Sequence, residues 1–101
     1  MRPIHVAHLD KARPVLVLTR EVVRPHLTSV TVAPITSTVR GLSTEVELGP
    51  ANGLDHRCAV ACDNLVTIPV TALGRQIGHL LPRQEPALAR AITLAFDLEQ
   101  R

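Results

Sequence analysis

PVLVLTR at positions 14–20 and LTSVTVAP at positions 27–34 decide how this chain folds. The first is a nearly continuous apolar, β-branched run, the pattern of a central strand covered on both faces. The second alternates Val30 and Val32 with Thr and Ser, the period of two that marks a half-buried strand. Working outward, residues 3–9, 42–48, 58–62, 65–70 and 75–80 read as further short strands. In residues 42–48, Val46 and Leu48 share one face and Glu45 and Glu47 the other. Breakers fall between the runs: Arg24-Pro25-His26, Val39-Arg40-Gly41, residues 49–53 and Asp63-Asn64. Strands at this spacing with tight connections predict a small antiparallel barrel or sandwich. From Pro82 the period changes, with Leu88, Ala91, Ile92 and Ala95 at helical spacing. Pro86 belongs in the first turn, where its missing N–H costs little. The expected fold is therefore mainly β, with one C-terminal amphipathic helix packed on the barrel.

The chain has 101 residues, and a single domain over 1–101 is expected, burying about two-thirds of the surface its unfolded chain exposes. Apolar residues at 46% with 20% charged fit a globular protein and exclude a disordered one. His5, His8, Asp10 and Lys11 interrupt any leader-like apolar run near the start, and no stretch reaches the roughly 18 apolar residues of a spanning helix. A cytoplasmic protein is expected, with Cys58 and Cys62 as free thiols. His56 near these cysteines raises a metal site as a possibility. A C-x₃-C pair on a straight strand, however, stands about 13 Å apart, too far for tetrahedral zinc or a disulfide.

Charge is unevenly spread: residues 1–40 hold six Lys or Arg against two Asp or Glu, while residues 41–101 hold five against seven. All the basic side chains except Lys11 are arginines, whose planar fork suits bidentate contacts to phosphate. A solvated, Arg-biased surface accounts for the same numbers. Phe96 is the only aromatic residue, which excludes modules that stack bases on two or three exposed rings. Any grip on RNA must come from arginines, backbone groups and small polar side chains.

Three blocks stand in order along the chain: KARPVLVLTRE (11–21), VAPITSTVRG (32–41) and CDNLVTIP (62–69). Together they resemble the signature blocks of the MazF/PemK toxins: an Arg-Pro opening an apolar strand, a Pro-x-Thr turn, and an acidic–amide pair before Thr-Ile. LGRQIGHL (73–80) and the C-terminal helix continue the likeness, which covers residues 3–98. The resemblance implies an SH3-like barrel forming a homodimer, with single-stranded mRNA cleaved in a groove and a MazE-like antitoxin as partner.

That chemistry needs no metal or cofactor. The substrate's 2′-hydroxyl attacks the adjacent phosphorus, leaving a 2′,3′-cyclic phosphate and a 5′-hydroxyl. Negative charge grows on the non-bridging oxygens, so a fixed guanidinium is worth most in the transition state. The resemblance assigns that place to Arg13; a guanidinium keeps its proton in proteins, so its role is electrostatic. Thr36 matches the second key position and can hold the scissile phosphate in line. Ser37 and Thr38 can add phosphate contacts. Asp63 matches the acidic residue proposed as base in some relatives, Asn64 the amide that reads a base edge, and Thr67 a further RNA contact. Taken singly, Arg13 is a surface cation able to pair with Asp10, Thr36 a turn residue, and Asp63-Asn64 an ordinary tight turn.

The chain departs from the pattern before Arg13, where residues 8–12 replace a longer Gly-Ser-Glu-Gln-like loop. His8 either takes over the part of a loop histidine that assists catalysis in some relatives or is a surface strand residue. Ala61 stands where those relatives carry a helpful arginine. Two alternatives remain: a catalytically inactive barrel, and a CcdB-like barrel acting on gyrase through its C-terminal helix.

Overall fold

The computed structural model describes residues 2–99. Seven antiparallel strands run in chain order: β1 (Pro3–His8), β2 (Ala12–Val17), β3 (Ser29–Thr36), β4 (Glu45–Leu48), β5 (Cys58–Ala61), β6 (Val66–Pro69) and β7 (Leu73–His79), followed by helix α1 (Glu85–Ala95). The strand order is β4-β5-β3-β2-β1-β7, with β6 also paired to β3. β3 is the hub: Ser29–Val32 pair with β6, Val32–Pro34 with β2, and Ile35–Thr36 with β5. Switching partners along one strand curls the sheet on itself. No helix among the described residues is long and apolar enough to cross a membrane.

The curl explains the unbroken apolar run of β2. Leu16 points into a core with Ile4, Ile35, Val46, Val60 and the helix residues Leu88 and Ala91. Val15 and Val17 point into a second core with Ala7, Val30, Val32 and Ile68. Each face of β2 thus has its own apolar layer, as PVLVLTR requires.

Several boundaries are tighter than the periodicity suggests. β2 ends at Val17, and beyond it the Thr19 hydroxyl accepts the Thr31 N–H at 2.9 Å in place of a ladder bond. β4 begins at Glu45 rather than Leu42 because the Glu45 carboxylate accepts the backbone N–H groups of Arg40 (3.1 Å) and Leu42 (3.2 Å). That pins residues 40–44 as a turn, with Gly41 at φ +71°.

One buried polar side chain ties the loops to the helix. Asn52 donates its amide to the His79 carbonyl (3.1 Å) and to Gln84 Oε1 (2.7 Å), while its Oδ1 accepts the Gly49 N–H (3.2 Å). Burial of an amide demands such pairing. Beside it the chain crosses β7 very closely. Gly53 sits at φ +86°, and a Cβ on Gly78 would lie 1.7 Å from the Asn52 carbonyl oxygen. Both positions require glycine. At the other side of the helix start, Arg2 Nε donates to both Glu85 oxygens at 3.0 Å, and its Nη1 to the Leu18 carbonyl at 2.7 Å.

Cys58 and Cys62 are buried free thiols in the core that receives Leu16. Burial, helped by the Asp63 charge, pushes the Cys62 thiol up to about 11; burial, then Asp55, raises that of Cys58. Both are protonated core residues, not thiolate nucleophiles.

Candidate nucleic-acid interface

The register Val15↔Pro34, carried two residues further, sets Arg13 opposite Thr36, and β3 in turn pairs Thr36 with Ala59 of β5. Directly opposed residues of antiparallel strands stand on the same face, their Cα atoms about 5 Å apart. Two residues 23 apart in sequence therefore form one row. Arg13 Nε lies 3.6 Å from Asp10 Oδ1, with the two side chains 44% and 75% exposed. An exposed pair beyond hydrogen-bonding distance is worth little, so this guanidinium is free to turn to an anion. The Thr36 hydroxyl accepts the Thr38 N–H at 3.1 Å, a local turn bond that leaves its own hydrogen available to donate.

Strand alternation at the end of β3 then divides the predicted residues. Ser37 faces a cavity of about 560 Å³ that is rimmed by Arg13 and Arg75 and floored by Pro14, Leu54 and Ile77. Thr36 and Thr38 face a smaller depression of about 240 Å³ with Arg40, Thr44, Asp63 and Asn64. Thr36-Ser37-Thr38 is thus a ridge between two basins. Asp63 and Asn64 stand on the single 3₁₀ turn Cys62–Asn64, and Asp63 Oδ2 accepts the Thr44 hydroxyl at 2.5 Å.

The structure does not bring all the expected residues together. Asp63 lies in the polar basin, while Arg13 lines the other, so a base role for Asp63 at the phosphate held by Arg13 finds no geometric support. Thr67 lines neither basin: it sits on β6 with its hydroxyl 2.9 Å from that of Thr31, the residue it pairs with across the strands. His8 is exposed at the end of β1, opposite Ala12, and lies over Gly74, where a Cβ would fall 2.7 Å from its Nε2. It too lines neither basin.

Four residues at the basins had not been singled out for RNA. Arg75 and Arg40 stand at the rims, and the Asp55–His56 pair forms part of the apolar-floored cavity's wall. Asp55 Oδ1 lies 2.6 Å from His56 Nδ1, and this hydrogen bond, then the charge on the ring, holds the Asp55 carboxyl below its ordinary range. Arg75 carried one readable signal: residues 75 and 77 share a strand face, so the apolar Ile77 and the cation belong to one wall. No grouping of three or more His, Cys, Asp or Glu able to hold a metal ion occurs among the described residues.

A short antiparallel barrel with one helix, carrying an Arg–Thr row between two surface basins, is the architecture of a toxin barrel. The chain belongs to the PemK-like, MazF-like toxin family of type II toxin–antitoxin systems, whose pattern matches residues 3–96. It is 72% identical over 99 residues to endoribonuclease MazF3 of Mycobacterium tuberculosis H37Rv, covering 98% of this chain and 96% of that one. Among solved structures it resembles the M. tuberculosis toxin MazF-mt6 at 71% identity and TM-score 0.96, covering 98% of this chain and all of the other. A mycobacterial endoribonuclease in complex with its cognate antitoxin matches at 25% identity and TM-score 0.87, over 98% of this chain and 95% of that one.

Proposed function

We propose that this toxin is an endoribonuclease that cuts single-stranded mRNA at the Arg13–Thr36 row, using the substrate's own 2′-hydroxyl as nucleophile. The bond formed is O2′–P and the bond broken is P–O5′, leaving a 2′,3′-cyclic phosphate and a 5′-hydroxyl. Arg13 neutralises the charge that develops on the non-bridging oxygens. The Thr36 hydroxyl donates to one of these oxygens and holds the phosphate in line. Ser37 and Thr38 face opposite sides of the ridge and contact the strand on either side. Asp63, Asn64 and Thr38 read the nucleotide over the polar basin; Thr67 lies outside this path.

The observation that carries the reading is the row itself: an arginine and a threonine on one face, the arginine tied only to the exposed Asp10. The protein acts in the cytoplasm as a homodimer, and an acidic, extended antitoxin segment competes for the same arginines. The gyrase-directed and inactive-barrel alternatives are not favoured, since the relatives are named endoribonucleases. The test is incubation of purified protein with a long single-stranded RNA in EDTA, with both ends mapped. Cyclic phosphate and 5′-hydroxyl ends are expected, and Arg13→Ala should abolish cutting with the circular dichroism spectrum unchanged. Full activity in that variant overturns the assignment; growth arrest with RNA intact and DNA broken would establish the gyrase-directed alternative.

A further inference from the structure

The apolar-floored cavity is larger than phosphate binding requires. Its volume of about 560 Å³ lies inside the roughly 300–1,000 Å³ range of small-molecule sites. Its wall is firmly built: residues 53–56 are anchored where Gly53 presses against the Ile77 carbonyl, with no room for a Cβ. Pro14, Leu54 and Ile77 supply aliphatic surface, while Ser37 and His56 supply polar groups. His56 engages Asp55 through Nδ1, which leaves Nε2 for a ligand. Two guanidiniums frame the mouth. Arg13 comes from β2 and Arg75 from β7, on opposite sides of β1 in the sheet. No hydrogen bond or ion pair engages the Arg75 side chain among the described residues.

We infer that this cavity is a nucleobase seat: an unpaired base next to the scissile phosphate drops onto the Pro14–Leu54–Ile77 floor, and its flanking phosphate is held by Arg75. The inference rests on the RNA-cleaving reading above and deepens it by naming a subsite. Charge complementarity selects the occupant, because an apolar floor beneath two cations matches a flat base joined to an anion. In a chain without Trp or Tyr, aliphatic surface and guanidinium planes are what remains for a base to stack on. Ser37 and His56 Nε2 then meet the base edge. Arg75 is a binding residue for the strand and takes no part in the proton transfers.

The experiment uses the full-length protein and a single-stranded RNA made uncleavable by a 2′-deoxy substitution at the cut site. 2-Aminopurine replaces each flanking base in turn. One position should change its fluorescence on binding, and Arg75→Ala should remove that change. With cleavable RNA, Arg75→Ala should raise KM roughly ten- to a hundredfold with kcat little altered, and Arg75→Lys should recover part of the loss. The slope of log K against log salt should fall by about 0.7, one phosphate contact on a single strand. Arg75 is exposed, so loss of the fold is not expected. Wild-type cleavage with unchanged KM, salt slope and fluorescence in Arg75→Ala overturns the seat while leaving the ribonuclease standing. A shift in the monomer–dimer equilibrium with RNA affinity per dimer unaltered also overturns it, since the cavity then serves self-association. Absence of RNA cleavage by the wild type instead refutes the ribonuclease reading directly.

Discussion

Two basins lie on either side of the Thr36-Ser37-Thr38 ridge, and they are built from opposite materials. The larger is floored with proline and aliphatic side chains, with arginines at its rim. The smaller is lined by hydroxyls, an amide and a carboxylate, and that carboxylate is already engaged by Thr44. An apolar floor holds a base by its faces, whereas a polar wall reads a base by its edges. One binds and the other discriminates, and the row between them is where the chain of the substrate is cut.

The strongest break of this comparison is at the row itself. Arg13→Ala should lower kcat by about a hundred- to a thousandfold, the usual cost of one transition-state charge donor, measured by single-turnover cleavage. Thr36→Val should cost on the order of ten- to a hundredfold in kcat through loss of alignment, while Thr36→Ser keeps most of the activity. Asp63→Asn separates the basins: if the carboxylate reads a nucleotide, the cut sequence changes and kcat moves by less than about tenfold. A loss of about a hundredfold or more would restore Asp63 as a proton-transfer group.

The remaining predictions sharpen the comparison through stability. Gly78→Ala places a Cβ against the Asn52 carbonyl and should cost about 1–3 kcal/mol or more. It should also open the larger basin before the smaller, visible as a greater rise in KM than Asp63→Asn produces. Alkaline pH probes the core under both basins. The Cys62 thiol is raised to about 11 in the folded state against an ordinary value of 9.0. Between these values the unfolded chain loses a proton that the folded chain keeps, so stability falls as pH rises through that window. Two units correspond to at most about 3 kcal/mol. Cys62→Ala should flatten the decline in urea titrations, with Cys58 accounting for what remains.

Much of the fold was legible because burial leaves a period. PVLVLTR reads as a strand with two apolar faces, and two separate cores receive Val15, Val17 and Leu16. The helical spacing of Leu88 and Ala91 puts them in the core as expected. Turn endpoints were less legible, because Glu45 and Thr19 end or delay strands through side-chain bonds that no periodicity records. The candidate site was legible in part. Arg13, Thr36, Asp63 and Asn64 come from blocks that resemble the family, but spacing assigned them to one centre. Thr67 shares the third block and pairs with Thr31 instead. Arg75 lay inside a matched stretch with nothing local to mark it.

What the sequence determined by itself is therefore the set of strands, the face each residue occupies, and the row of Arg13 with Thr36. Alternation carries facing information along a strand, and a short strand spacing carries order between neighbours. The tertiary structure alone decided which residues share a basin. β1 lies between β2 and β7, bringing Arg75 to the cavity of Arg13 across 62 positions of chain. The ridge meanwhile keeps Asp63 apart from that cavity. Non-local pairing and the close crossing at Gly53 and Gly78 set those distances, and no local pattern in the chain encodes them.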